Sequence, residues 1–456
     1  MLAFDRLGDD GKKGRAVREL QSGAAHTSAV PTRYPAAEHT GRHRAFVASL
    51  SGTALEYYDF AIYSSAAALI FGQVFFEADD PLTGTFQAFG TYAVGYLARP
   101  VGGIVFGRLG DIVGRKVVLV YTLLLVGLAT FMIGILPGYA QIGSAAPALL
   151  VLLRFAQGVG VGGEWGGAVL LSSEFGQAER RGFWASAAQV GPPLGTLLAN
   201  GVLAMLTLTL TDRQFVDWGW RVAFLLSIVL VGFGLWIRGA LEETPTFREI
   251  EAKGERSSAP MFEIFKTQRR ALIAAILARL GPDVLYSMFA VFVLTYATQR
   301  LGLTRNQAVA TVLIGSAVQV PLIPFAGHLS DRFDRRLLYA FGAAGGAIWS
   351  LGFFFLVDEV TALAIGVIGA LVFHALMYGP QAAFIAEQFE PRLRYSGSSL
   401  AYTLAGVIGG AIAPLVFSWL LAMPGRAWMI GAYIAGACAL TIIGVLLGRS
   451  AREAGE

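Results

Sequence analysis

Gly107-Arg108-Leu109-Gly110-Asp111-Ile112-Val113-Gly114-Arg115-Lys116 reads as a short basic loop, and 220 residues later Gly327-His328-Leu329-Ser330-Asp331-Arg332-Phe333-Asp334-Arg335-Arg336 repeats its plan. The leading Gly, the Asp and the closing pair of basic residues hold the same places in both copies. Outward from these loops, Glu174 stands seven residues before Arg181, and Glu387 stands seven before Arg394. Pro193 and Pro414 are separated by nearly the same offset. One such match could arise by chance; several in the same order indicate an internal duplication.

The material between the repeats is apolar. Of 456 residues, 55% are hydrophobic and 14% are charged, against about 25% charged in a soluble domain. A helix needs about 20 apolar residues to cross a bilayer. Runs of that size recur at 48–76, 86–107, 117–137, 147–174, 182–210, 220–239, 270–299, 306–326, 337–357, 361–389, 396–421 and 427–448. The expected fold is therefore an all-α membrane protein of twelve transmembrane helices in two pseudo-symmetric six-helix bundles. The expected organisation is a disordered tail at 1–44, a first bundle at 45–239, a linker at 240–269, a second bundle at 270–449 and a short tail at 450–456. The first 44 residues lack the short apolar stretch and cleavage site of a signal peptide, so the first apolar run is expected to be retained. The single cysteine, Cys438, cannot form an intrachain disulfide, and no metal-ligand spacing is present.

The net charge of +4 does not point to nucleic acid, because the basic residues sit in short loops between apolar runs. With both termini in the cytoplasm, 27 of the 35 Lys and Arg residues fall in cytoplasmic segments and 4 in outside loops. Membrane proteins retain positive loops inside, so this orientation is expected over its inverse.

Several motifs then become recognisable. The Gly-x-x-x-Asp-x-x-Gly-Arg-Lys loop and its degenerate second copy resemble the major facilitator superfamily, and the resemblance extends over residues 45–449. Two positions depart from the pattern: Ile112 stands where a basic residue usually follows the Asp, and Asp334 replaces the second-half Gly. Glu56-Tyr57-Tyr58-Asp59-Phe60, Arg99-Pro100-Val101-Gly102-Gly103, Gln157-Gly158, Gly162-Gly163-Glu164-Trp165-Gly166-Gly167, Trp218-Gly219-Trp220-Arg221, Glu243-Thr244-Pro245 and Tyr378-Gly379-Pro380 resemble its metabolite:proton symporters. That group includes shikimate, α-ketoglutarate, citrate and proline/betaine carriers, and the run is most similar to shikimate-transporter-like members. The resemblance implies a rocking, alternating-access carrier in which helices one, four, seven and ten line a central cavity. It also implies proton-coupled uptake of a small polar metabolite, such as shikimate or another carboxylate, across a bacterial inner membrane. An exporter or facilitator on the same fold is the alternative, followed by a membrane nutrient sensor.

Charged residues inside a bilayer cost about 2.5–3.5 kcal/mol each on insertion scales, so each one requires a reason. Asp59 and Glu56, three apart, share a face of helix one. They are the candidate proton-coupling carboxylates. Arg154 is the expected partner of Asp59, as in the proton-coupled sugar carriers that this stretch also resembles, and Arg99 is the alternative partner. In helix seven, Arg279 and Asp283 are four apart and can pair with each other. Arg279 can equally bind a carboxylate through its two-pronged guanidinium. Tyr57, Arg154, Gln157, Tyr286, Tyr378 and Gln381 complete the candidate substrate contacts. His374 lies 220 residues after Arg154 and is expected to face the cavity or to pack within the bundle. The candidate gating residues are Asp111, Arg115, Lys116, Asp331, Arg335, Arg336, Glu174, Arg181, Glu387 and Arg394. The glycines from Gly158 to Gly167 follow no strand and precede no lysine, so they form a helix-packing face rather than a phosphate loop. No nucleophile elbow, HExxH or Walker motif is present, and no enzyme, cofactor or metal is expected. The expected partners are the substrate, a proton and the lipid bilayer, with the chain acting as a monomer.

Overall fold

Apolar runs separated by polar breaks become helices, because a chain in hydrocarbon must satisfy its backbone internally. The computed structural model describes residues 37–78, 80–113, 115–162, 180–239, 260–357, 359–390 and 393–449. Each of the twelve apolar runs carries a helix. The first, α1, is Ala37–Ala66; it passes through a π-helical turn at Ala67–Phe71 and ends at Val74. The second, α2, is Pro81–Leu97 followed, after a turn at Ala98, by Arg99–Val113. Next come α3 (Arg115–Ile135), α4 (Ala145–Gly162), α5 (Arg181–Thr209) and α6 (Asp212–Trp236). The last six are α7 (Arg269–Arg300), α8 (Arg305–Arg332), α9 (Arg335–Leu356), α10 (Val360–Glu387), α11 (Ser396–Leu421) and α12 (Trp428–Leu447). Among the described residues, the nine helices from α4 to α12 are long and apolar enough to span a membrane. The helices α1 and α2, which carry Glu56, Asp59 and Arg99, fall outside that count.

Two boundaries differ from the sequence expectation. Helical backbone begins at Ala37, inside the stretch read as a tail. Once a helix is nucleated, adding residues to its end is cheap, so polar residues extend it. A short helix, Pro260–Thr267, occupies the end of the stretch read as a linker; residues 240–259 lie outside the described residues.

Turn and cap chemistry fixes the helix ends. Asp80 opens α2: its Oδ1 accepts from Leu82 N at 2.9 Å and Thr83 N at 3.0 Å, and Pro81 takes the first helical position. The Thr83 hydroxyl, with these backbone bonds, holds the Asp80 carboxyl below the usual carboxylate range. Within α7, Pro282 cannot bond the Ala278 carbonyl, and the Tyr339 hydroxyl of α9 donates to that carbonyl at 2.9 Å instead.

Close helix approach depends on glycine. A Cβ on Gly158 or Gly162 of α4 would collide with backbone carbonyls of Gly95 and Arg99 in α2, and one on Gly160 would meet Val126 of α3. This part of the glycine run therefore packs α4 onto α2 and α3; Gly163, Gly166 and Gly167 lie outside the described residues. At the end of the bundle near Arg181, Gly182 and Gly327 bring α5 and α8 into backbone contact, with the Gly182 carbonyl 2.6 Å from where a Gly327 Cβ would sit.

Candidate functional site

A cavity of about 50 Å³ lies between the first six helices and the last six. Its wall comes from α1, α2, α5, α7, α10 and α11. The expectation of a cavity lined by helices one, four, seven and ten thus holds for α1, α7 and α10. Among the described residues α4 contributes nothing to the wall, because α2, drawn close by the glycines, stands in front of it. Local helix irregularities open the space. The π-helical segments Ser287–Phe292 in α7 and Val407–Ile412 in α11 both reach the wall, through Ser287, Val291 and Gly410.

The sequence-predicted residues separate into three groups. The first lines the cavity and comprises Tyr57, Arg99, Arg279, Asp283, Tyr286 and Tyr378, with His374 beside them. Arg279 Nε is 2.8 Å from Asp283 Oδ2, with Arg279 buried and Asp283 largely so. The guanidinium also lies 3.2 Å from the ring centre of Tyr402 in α11. The Tyr402 hydroxyl shares a short hydrogen bond with the Tyr57 hydroxyl of α1. The Tyr286 hydroxyl pairs with Thr196 of α5 at 2.6 Å. His374 packs against Tyr286 and Tyr378, and its Nδ1 meets Gln319 Nε2 at 2.6 Å.

The second group lies behind the wall. Arg154 is fully buried, with its guanidinium 4.1 Å from the ring centre of Phe60, 4.2 Å from Tyr63 and 5.0 Å from Tyr92. It makes no ion pair with Asp59 or any other described carboxylate. Instead Arg154 is tied through side chains to Thr130, which lies near Asp59. Arg154 Nη1 donates to Gln157 Oε1 at 3.0 Å, and Gln157 Nε2 donates to Thr130 Oγ1 at 2.6 Å. The Thr130 hydroxyl donates to the Val126 carbonyl at 2.9 Å and stands near the Asp59 carboxylate, whose Oδ1 has no hydrogen-bond partner among the described residues. Arg99 makes no ion pair with Asp59 either; it lies over Phe60 and Tyr96. Glu56 is buried one turn before Asp59. Gln381 is also behind the wall, accepting from Gln189 Nε2 at 2.9 Å and donating to the Tyr339 hydroxyl at 3.1 Å.

The third group clusters at the Arg181 end. Asp331 Oδ1 accepts from Gly182 N at 2.7 Å and Oδ2 from Phe183 N at 3.0 Å, so a carboxylate caps the N-terminus of α5. Arg335 pairs with Asp331 at 3.3 Å and closely with Glu387 of α10. Arg181 is exposed one residue before the cap, and Arg394 opens the helix Arg394–Gly406. Arg336 makes a surface contact with Asp334 at 3.8 Å. The side chains of Asp111, Arg115 and Lys116, and all of Glu174, lie outside the described residues.

Sequence reasoning missed Thr130, Tyr402, Gln189 and a set of contacts at the opposite end. There, Arg305 pairs with Asp212 at 2.8 Å, Gln299 donates to Thr85 Oγ1 at 2.8 Å, and Thr295 donates to the Ala68 carbonyl at 3.3 Å. Each missed group is a neutral residue in an apolar run or a loop charge whose partner is far away in sequence.

Residues 49–414, and again 284–456, match the family model described as Major Facilitator Superfamily. The chain belongs to the Major Facilitator Superfamily. Its relatives place it among that superfamily's metabolite transporters. It is 38% identical to "Inner membrane metabolite transport protein YhjE" of Escherichia coli (strain K12), over 90% of this chain and 95% of that protein. It is 36% identical to "Shikimate transporter" of the same organism, again over 90% of this chain and 95% of that protein. Among solved structures, a D-xylose-proton symporter superposes with a TM-score of 0.67 at 18% identity, covering 89% of this chain and 96% of that one. That likeness establishes the twelve-helix facilitator fold. The protein is thus a multi-pass membrane transporter of metabolites and not an enzyme.

Proposed function

We propose that this transporter is a proton-coupled symporter that imports a small organic anion across a bacterial inner membrane, with both termini in the cytoplasm. The observation that carries the reading is the cavity between the two sets of six helices. It holds arginines and hydroxyls suited to a carboxylate, with a buried Asp59 and a polar chain immediately behind its wall. The two relatives, an inner membrane metabolite transport protein and a shikimate transporter, support an inner membrane and an acidic substrate. The two six-helix bundles, 45–239 and 270–449, would rock about this site.

Asp59 is the proposed proton carrier, and its message to Arg154 runs through Thr130 and Gln157. The Thr130 hydroxyl has a single proton, which it donates to the Val126 carbonyl at 2.9 Å, and the nearby Asp59 carboxylate is its alternative acceptor. When Asp59 is ionised, the hydroxyl can donate to it. When Asp59 is protonated, the carboxyl becomes a donor and the hydroxyl is left to Val126. Gln157, which donates to Thr130 and accepts from Arg154, then moves with it. Arg279 and Asp283 are proposed to contact substrate from the second bundle, and the Asp331–Arg335–Glu387 cluster to latch the cytoplasmic side. Asp111, Arg115, Lys116, Glu174, Arg181, Arg336 and Arg394 belong to the same proposed gate.

Two experiments test the reading. Thermal stabilisation of purified protein should be seen with shikimate, quinate or another organic acid, since a ligand that binds the folded state raises apparent stability by mass action. An imposed inward pH gradient should then drive uphill uptake of that acid into proteoliposomes, and uptake indifferent to the gradient identifies a facilitator. Reporter fusions at Glu77 and Glu359 should read outside and at Arg180 inside; the reverse pattern inverts the orientation.

A further inference from the structure

Three charged side chains line the cavity among the described residues: Arg99, Arg279 and Asp283. Arg279 and Asp283 neutralise each other at 2.8 Å. Arg99 has no such partner. It is 4% exposed, makes no hydrogen bond or ion pair among the described residues, and its buried Nε is unsatisfied. The carboxylates that act on it electrostatically, Glu56 and Asp283, lie beyond ion-pair reach. Its surroundings are aromatic instead, with Phe60 at 4.5 Å and Tyr96 at 4.2 Å from the guanidinium carbon. These rings stabilise the cation through their electron-rich faces but accept none of its five N–H donors. A buried charge left in that state is expensive unless an anion meets it.

Arg99 also stands where both bundles can enclose a ligand. It belongs to α2, and a Cβ on Gly406 of the Arg394–Gly406 helix would lie 4.0 Å from its Nη1. Around it the wall offers neutral polar groups: the hydroxyls of Tyr57, Ser64, Thr196 and Tyr286. Among the described residues no uncommitted carboxylate lines the cavity for an ammonium group, because Asp283, the one lining carboxylate described, is held by Arg279.

We propose that Arg99 is the anchor for the substrate carboxylate, so that the cavity selects a hydroxyl-bearing monocarboxylate over zwitterions and uncharged analogues. This rests on the organic-anion reading above and adds to it the residue and the charge type. A carboxylate would approach the unsatisfied N–H edge of the guanidinium while the rings cover its faces, forming charge-assisted bonds in a site shielded from water.

The test compares shikimate with its methyl ester, which keeps the hydroxyls and lacks the charge. Wild-type protein should bind the acid at least about tenfold more tightly than the ester, in line with a hydrogen bond to a charged group. Arg99→Gln should lose that preference, weakening the acid about tenfold while leaving the ester unchanged, and Arg99→Lys should retain part of it. Unliganded melting and gel filtration report whether each variant is folded. An Arg99→Gln protein that still prefers the acid by the wild-type factor overturns the assignment. If Arg99→Gln does not fold, wild-type discrimination decides: tighter binding of glycine betaine or the ester than of the acid overturns it. Wild-type protein that binds neither shikimate nor quinate, α-ketoglutarate or citrate removes the organic-anion reading itself, and the anchor with it. Loss of the anchor alone leaves wild-type acid binding intact, so the two failures are distinguishable.

Discussion

Buried arginines in the two parts of this bundle are stabilised by different means. In the second bundle Arg279 is bound to Asp283 four residues away, a pair on one helix face. In the first bundle Arg99 and Arg154 lie among Phe60, Tyr63, Tyr92 and Tyr96, with no described carboxylate in contact. An ion pair cancels a charge, whereas an aromatic cage only lowers its cost. The caged arginines therefore keep unused hydrogen-bonding capacity, and the paired one has less to offer a ligand. On the proposed reading, the Arg279–Asp283 pair offers substrate a fixed contact, and the caged side responds to substrate and proton.

The largest effect should come from breaking the pair. Arg279→Gln strands a buried carboxylate and should destabilise the protein by about 3–5 kcal/mol, as for other broken buried pairs. Arg279→Gln with Asp283→Asn should recover most of the melting temperature. Arg154→Gln removes a caged charge that has no ion partner, and should cost less than about 2 kcal/mol, the scale of a desolvated cation–π contact. Melting of the three variants in one detergent checks the ranking, and an Arg154→Gln protein less stable than Arg279→Gln breaks the comparison.

The next effect concerns the Asp331 cluster. Asp331→Asn removes charge-assisted bonds to Gly182 N, Phe183 N and Arg335, each worth about 1.5–3 kcal/mol when the group is charged. Turnover should change several-fold while substrate affinity stays within about twofold, because no cavity contact is lost. Unchanged turnover would mean that this cluster only holds the resting fold together.

The smallest effect should come from Thr130→Val, which keeps the shape and deletes one hydroxyl. Losing a neutral hydrogen bond costs about 1 kcal/mol. Exchange should persist, and the pH-driven accumulation ratio should fall a few-fold. A variant with full accumulation would take Thr130 out of the path between Asp59 and Arg154.

The fold was largely legible in the sequence, because bilayer length and backbone satisfaction leave few alternatives for twelve apolar runs. The α7 pair was legible for a local reason: a spacing of four places Arg279 and Asp283 on one face. Long-range arrangements were not. Spacing could not reveal that Thr130 of α3 stands between Asp59 and Gln157, since a threonine in an apolar run carries no periodic signal. Nor could it place Arg154 behind the wall, which depends on how closely glycines draw α2 onto α4. The duplication pointed to Asp331, Arg335 and Glu387, but the target they hold, the first residues of α5, becomes visible only in three dimensions.

Proton coupling through Asp59 is tested most directly by one comparison in proteoliposomes, with Asp59→Asn and wild type preloaded with the same organic acid. Asparagine imitates the neutral carboxyl in shape and polarity, so the substrate step can proceed without a proton cycle. Exchange of internal for external acid should continue in Asp59→Asn at a rate within about an order of magnitude of wild type. Uphill accumulation driven by an inward pH gradient should disappear. Asp59→Asn protein that still accumulates the acid against its gradient, in proportion to the imposed pH difference, would contradict the role given to Asp59 and leave Glu56 as the carboxylate to examine.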